Sequence, residues 1–164
     1  MIVGRGDIAS VLPDSDLLFF ASGVSNSAET RASEFNRESS LLMSQSPSAH
    51  LVYFSSLCIF TSSTPYARHK WFMEGLVKSF PSHTIIRLGN ITWGTNPHTL
   101  LNHLRSEIVA GRQPVVQDVY RYLVDRDEFL HWISLIPPWP CEMNVTGRRM
   151  RVADIVDEIR AGVL

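Results

Sequence analysis

The chain has little with which to cross-link itself, hold a polyanion or span a membrane. Of its 164 residues only two are cysteine, Cys58 and Cys141, and they form no Cys-x-x-Cys pair. This excludes a disulfide scaffold and fits a reducing, cytoplasmic setting. Neither sign of charge is in excess: 15 Lys and Arg against 16 Asp and Glu leave a net charge of −1, which gives no electrostatic footprint for nucleic acid. No apolar run approaches the roughly 20 residues of a membrane span, and Met1 leads into an expected strand rather than a signal peptide. Internal repeats and long low-complexity tracts are absent. His98 and His103 have no carboxylate spaced with them, so no metal site is expected. Lysine is scarce too, with only Lys70 and Lys78.

What is present is apolar and globular, at 45% hydrophobic and 19% charged residues, enough for one domain over 1–164 with a real core. The most informative stretch runs from His50 to Lys70. Leu51 to Ser55 reads as a buried strand that delivers small polar residues at its C-terminal end, and a helix opens near Pro65 and Tyr66. Tyr66 and Lys70 are four apart and therefore share one face of that helix. Ser56 lies at the strand end, where α/β sheets place their chemistry. A phenol near its free pKa of about 10 is a poor acid or base at neutral pH, and a cation one turn away is expected to pull that value down. With four Tyr and two Lys in the chain, a chance Tyr-x-x-x-Lys has odds of roughly one in twenty. The pair gains weight from the Ser55-Ser56 strand end upstream.

These residues carry a resemblance. Ser55-Ser56, Ile59-Phe60, Tyr66-x-x-x-Lys70, Arg87-Leu-Gly-Asn90 and Gly94 resemble the extended branch of the short-chain dehydrogenase/reductase family, whose members act on nucleotide sugars. The resemblance covers most of the chain. It implies an α/β fold, a Rossmann-like doubly wound parallel sheet with helices on both faces. It also implies a shortened form, because about ten residues stand where the family has two strand–helix units between the glycine fingerprint and the next strand.

By the same resemblance Ser56, rather than Ser55, is the catalytic serine, Tyr66 the proton carrier and Lys70 the holder of the nicotinamide ribose of NAD or NADP. The opening Gly4-x-Gly6-x-x-Ala9 has the glycine spacing that lets backbone approach a pyrophosphate. Ala21, Ser22 and Gly23 end a second expected strand, 14–22, and match the stretch beside the adenine ribose. No carboxylate stands about 20 residues after the fingerprint, where a dinucleotide site wants one; Asp14 or Asp16 is a possible substitute. Asn36 matches a helix asparagine of the family, and an ordinary exposed asparagine is the plainer alternative. Asn90 matches a residue that contacts the substrate phosphates or sugar, against a plain loop cap, and Arg121 could meet a diphosphate, against a surface arginine. Cys58 lies two before the aromatic Phe60, as in C3/C5 epimerases of the family that pair a Cys with a later His, here His98. A small buried cysteine is the alternative. Leu57 and Cys58 occupy the places of the Asp-Glu that dehydratases carry, which argues against loss of water.

Helices are expected over 29–46, with Phe35, Leu41, Leu42 and Met43 on its apolar side, over 66–80, with Trp71, Phe72, Leu76, Val77 and Phe80, and from Pro97 to about Arg112. The first two imply a homodimer by analogy, dense core packing being the alternative. Residues 113–164 read as a shortened substrate-side part, closing with a strand near 142–147 and a helix over 152–160. The expected function is an NAD(P)-dependent epimerase or reductase of a nucleotide sugar. The alternative is an inactive relative that serves as a binding or assembly subunit.

Overall fold

The computed structural model describes residues 1–164. In chain order its elements are β1 (Ile2–Val3), β2 (Leu18–Phe20), α1 (Ala32–Met43), β3 (Leu51–Ser56), α2 (Pro65–Val77), β4 (His83–Leu88), β5 (Asn90–Ile91), α3 (Leu100–Val109), β6 (Tyr120–Val124), α4 (Arg126–Ser134), β7 (Cys141–Val145), β8 (Arg148–Arg151) and α5 (Val152–Arg160). Strands β1-β2-β3-β4-β7 form one sheet in that order, every pair parallel. This is the Rossmann-like architecture expected from the sequence.

The strands are buried on both faces, and their alternation sorts the core into two layers. Leu18, Phe20, Leu51, Tyr53 and Ile85 face one way and pack with Leu42 of α1 and Met73 and Val77 of α2. Phe19, Val52, Phe54 and Ile86 face the other way, onto Phe129 and Ile133 of α4. A third cluster joins Leu101 and Leu104 of α3 to Leu123 of β6 and Ile155 and Val156 of α5.

The two missing strand–helix units leave a definite mark. Between β1 and β2 lies only a 3-10 turn, Ala9–Val11, so β1 pairs directly with β2 and is the edge of the sheet. Gly4 serves that pairing: its φ is +134°, and a Cβ there would overlap the Ala21 carbonyl, a demand only glycine meets.

Helix ends follow local chemistry. Thr64 caps α2 by accepting from Ala67 N at 3.2 Å, with Pro65 just inside, a favourable start on both counts. Thr99 caps α3 by accepting from Asn102 N at 3.4 Å, so that helix starts three residues later than expected. The helix expected over 29–46 is trimmed to 32–43, and the one expected over 66–80 starts one residue earlier and ends three earlier, at 65–77. Met43, expected on the apolar side of α1, is exposed, whereas Leu42 is fully buried. A second, three-stranded sheet β5-β6-β8 was not foreseen; Tyr120–Val124 carries charged and aromatic residues in place of an apolar alternation, because only Leu123 and Val124 are buried.

Candidate active site

A cleft of about 1730 Å³ opens beyond the C-terminal ends of the parallel strands, the position at which open α/β sheets bind ligands. Its walls include Ser56, Cys58, Tyr66, Lys70, Gly6, Ala21, Ser22, Gly23, Asn90, His98 and Arg121. Gly4 does not line it. Asp14 and Asp16 are exposed residues preceding β2, at the opposite end of the strand from the cleft, so neither can stand in for a ribose-gripping carboxylate.

Ser55 and Ser56 part company at the end of β3. Ser55, on the side-chain side of Tyr53, is buried and donates to Glu74 Oε1 of α2 at 2.6 Å. Glu74 is in turn gripped by Arg87 of β4, through Nε at 2.9 Å and Nη2 at 2.6 Å, and Arg87 also pairs with Glu142. Ser55 also borders the cleft, yet its hydroxyl is engaged by Glu74, and with Arg87 it belongs to a buried framework. Ser56 instead faces the cleft and accepts from Cys58 N at 3.2 Å.

Tyr66 stands in the second position of α2 and is nearly buried. The Lys70 ammonium lies 5.7 Å from the centre of its ring. The expected fall in the phenol pKa does not occur. Burial pushes the Tyr66 phenol above its ordinary value, and the opposing pull of the Lys70 charge and of the Ser56 hydroxyl does not overcome it. Burial is the first cause, and a carboxylate that the sequence did not single out adds to it. Glu38 of α1 accepts from Lys70 Nζ at 3.0 Å and neutralises much of its field. Lys70 also donates to Tyr53 OH at 3.1 Å, and Tyr53 OH donates to Glu38 Oε1 at 2.7 Å. Burial works against the Lys70 charge, yet Glu38, with smaller help from Tyr66 and Cys58, more than offsets it and raises the ammonium above its ordinary 10.5. The signal for Glu38 was present: it stands three residues after Phe35 and four before Leu42, a charge on the stripe that faces the core.

The remaining candidates are less tightly built in. Asn90 Nδ2 donates to the Tyr122 carbonyl at 3.2 Å, and Arg121 Nη1 to the Tyr120 carbonyl at 3.1 Å. His98 is exposed and bonded through its backbone N–H to Asn96 Oδ1 at 3.0 Å; it shares the cleft with Cys58, and no hydrogen bond joins them. Asn36 does not line the cleft, and its side chain makes no hydrogen bond. No group of three or more metal-ligating side chains occurs.

Further cleft residues were missed. Arg37 of α1 reaches the Ser22 carbonyl with both Nη atoms at 3.2 Å, and Arg5 lines the wall beside Gly6. Asp7, next to Gly6, ties the glycine loop to the loop after β5: its carboxylate accepts from Thr95 N and Asn96 N, each at 3.0 Å, and its carbonyl accepts from Trp93 Nε1 at 3.0 Å. Arg5, Arg37, Lys70 and Arg121 against Asp7 and Glu34 leave the wall rich in cations.

No family model matches the chain, and no curated protein matches it. Solved structures do. The Bordetella bronchiseptica enzyme WbmG, in complex with NAD and UDP, superposes with a TM-score of 0.71 at 15% identity, over 90% of this chain and 56% of that one. The capsular polysaccharide assembling protein CapF from Staphylococcus aureus gives 0.62 at 17% identity, over 91% and 46%. The UDP-N-acetylglucosamine 4-epimerase from Bacillus cereus gives 0.58 at 14% identity, over 92% and 63%. The chain therefore spans between about half and three-fifths of the length of these structures, and at such identities the similarity is one of fold. No helix of the chain is long and apolar enough to cross a membrane.

Proposed function

We propose that the chain acts on a nucleotide-linked sugar as an NAD(P)-dependent oxidoreductase or epimerase. The observation that carries this reading is the meeting of Ser56, Tyr66 and Lys70 on one cleft at the C-terminal ends of a parallel sheet. Solved structures of the same fold were obtained with NAD and with UDP, which supports the class of ligand. The volume of about 1730 Å³ exceeds the usual 300–1,000 Å³ of a single-ligand pocket and has room for a dinucleotide and a sugar nucleotide together.

The nicotinamide side of the cleft fits such a cofactor. Lys70 lines the cleft beside Tyr66 and would hold the ribose hydroxyls there. The adenosine side has fewer walls, since β1 is the sheet edge. When bound, the nicotinamide would take or return a hydride. This chain's own residues handle the proton. Ser56 Oγ would orient the reacting sugar oxygen, and Tyr66 OH would give or take its proton. The Lys70 ammonium favours the phenolate, against the burial that opposes it. Cys58 and His98 are the candidates for removing and replacing a proton beside a keto group, and Asn90 and Arg121 for the sugar and its phosphates, the last through its guanidinium. Nucleic acid and membrane are not expected partners.

A homodimer through α1 and α2 is part of the proposal. Trp71 and Phe72 are 62% and 55% exposed on α2, and Met43 is 55% exposed on α1, a large apolar surface for two adjacent helices.

The experiment is turnover of NAD⁺ and NADP⁺ with uridine diphosphate sugars by the wild-type chain and by Tyr66→Phe. Reduced nicotinamide or an epimerised sugar from the first and neither from the second is expected; no product from the wild type would overturn the activity. One observation favours a second reading, a non-catalytic binding or assembly subunit. The glycine loop is followed by a single 3-10 turn rather than a helix, so the usual helix N-terminus for a pyrophosphate is lacking. Saturable binding of a sugar nucleotide without turnover would support it.

A further inference from the structure

Glu38 has no exposed surface, yet four donors converge on its carboxylate. They are Val24 N and Tyr53 OH, each at 2.7 Å, and His69 Nε2 and Lys70 Nζ, each at 3.0 Å. Because Lys70 Nζ also donates to Tyr53 OH at 3.1 Å, Glu38, Tyr53 and Lys70 close a ring of hydrogen bonds. An ammonium has three protons. Two are engaged in this ring, and the third remains for the cleft that Lys70 lines. Gly23 packs on the same spot: a Cβ there would stand 2.7 Å from Lys70 Nζ and 2.9 Å from Glu38 Oε1. Only glycine leaves the ammonium its place.

A lysine that is 3% exposed does not keep its charge unaided, because desolvation favours the neutral amine. The groups that face it are Glu38 from α1, Tyr53 from β3, Tyr66 and His69 from α2, and Cys58 from the turn after β3. Glu74, one turn further along α2, is already engaged by Arg87. Glu38 is the one carboxylate in direct contact with the ammonium.

We infer that Glu38 is a positioning residue of this site: its carboxylate is the counterion that keeps Lys70 an ammonium and draws it against Tyr53, so that one N–H points to the cleft beside Tyr66. The inference rests on the roles proposed for Tyr66 and Lys70. The substrate is out of reach of Glu38, which acts only through Lys70. A neutral Lys70 would offer no field to a Tyr66 phenolate.

The test uses the scarcity of lysine. With isotope-labelled lysine the full chain gives two Cε resonances, and Lys78→Arg tells them apart. In the wild type the Lys70 resonance should hold its charged position past its ordinary midpoint of 10.5; titration below that value would overturn the inference, and this measurement needs no change to the buried cluster. In Glu38→Gln the midpoint should fall by roughly one pH unit or more, and an unchanged midpoint would overturn it equally. A framework role with no charge requirement would leave Lys70 titrating as before. Absence of turnover in the wild type would retire the proposed activity and leave this titration standing, so the two failures are distinguishable.

Discussion

Adjacent serines at the end of β3 offer a sharp perturbation. Ser55→Ala removes a hydrogen bond at 2.6 Å to Glu74 in a site where Ser55 is 5% and Glu74 2% exposed. Hydrogen bonds to charged groups contribute about 1.5–3 kcal/mol. Glu74 keeps both Arg87 bonds and its charge remains paired, so the lower part of that range, about 1.5–2 kcal/mol, is expected. For a chain of this length each kcal/mol moves Tm by about 2–4 °C, which gives a fall of about 3–8 °C by circular dichroism, with turnover retained. Ser56→Ala has the opposite signature. Its hydroxyl accepts one bond, from Cys58 N at 3.2 Å, at a part-exposed position, so the stability loss should stay near 1 kcal/mol. Turnover should fall about 10²-fold or more, the usual effect of losing one donor that polarises a reacting oxygen. If the two variants exchanged these signatures, or if Ser55→Ala lost activity while keeping its Tm, the assignment of Ser56 to the cleft would be refuted.

Three other outcomes follow from the same geometry. Tyr66→Phe should lower turnover by about 10²–10⁴-fold while its unfolding curve stays close to wild type; retained activity would remove Tyr66 from the proton path. Glu38 is buried, which by itself raises a carboxyl pKa, but the Lys70 charge and the bonds from His69, Val24 and Tyr53 more than reverse this and hold it well below the ordinary 4.5. A carboxylate depressed on folding stabilises the fold above its unfolded pKa, and that contribution is lost as pH falls below it. Urea-unfolding free energies of the wild type should therefore drop more steeply below about pH 4.3 than those of Glu38→Gln, and parallel slopes would contradict the pairing. If α1 and α2 pair two copies as proposed, Trp71→Glu, at a position 62% exposed on α2, should halve the mass seen in sedimentation equilibrium; a monomeric wild type, or a dimer that survives the substitution, would overturn that interface.

The frame of the molecule was legible wherever one pattern decided it. Unbroken apolar runs such as Leu51 to Phe54 read as doubly buried strands because the pleat buries both faces of a parallel sheet. Pro65 announced the start of α2, and spacing alone set Tyr66 and Lys70 on one face. Legibility failed where a residue's partner lies far along the chain. Nothing near Glu38 in sequence reveals that it meets Lys70, 32 residues on, and the depth at which Tyr66 is buried was not visible either, so the phenol pKa was assigned the wrong direction from one neighbour. Gly4 looked like part of a pyrophosphate cradle, yet its positive φ serves the approach of β1 to β2. Asp14 and Asp16 were separated from the cleft by the length of β2, which a linear reading does not display. Asp7 was passed over because its partners, Thr95 and Asn96, are nearly ninety residues away.

The central claim is that the cleft receives a nicotinamide cofactor against Lys70 and Tyr66. Its most direct test is titration of the protein with NADH and with NADPH, followed by energy transfer from the tryptophans, up to about 1 mM, the upper end of ordinary cofactor and substrate affinities. A saturable signal with at least one of them, weakened by Lys70→Ala, is the predicted result. Titrations that rise without saturating for both, or that saturate identically in wild type and Lys70→Ala, would contradict it.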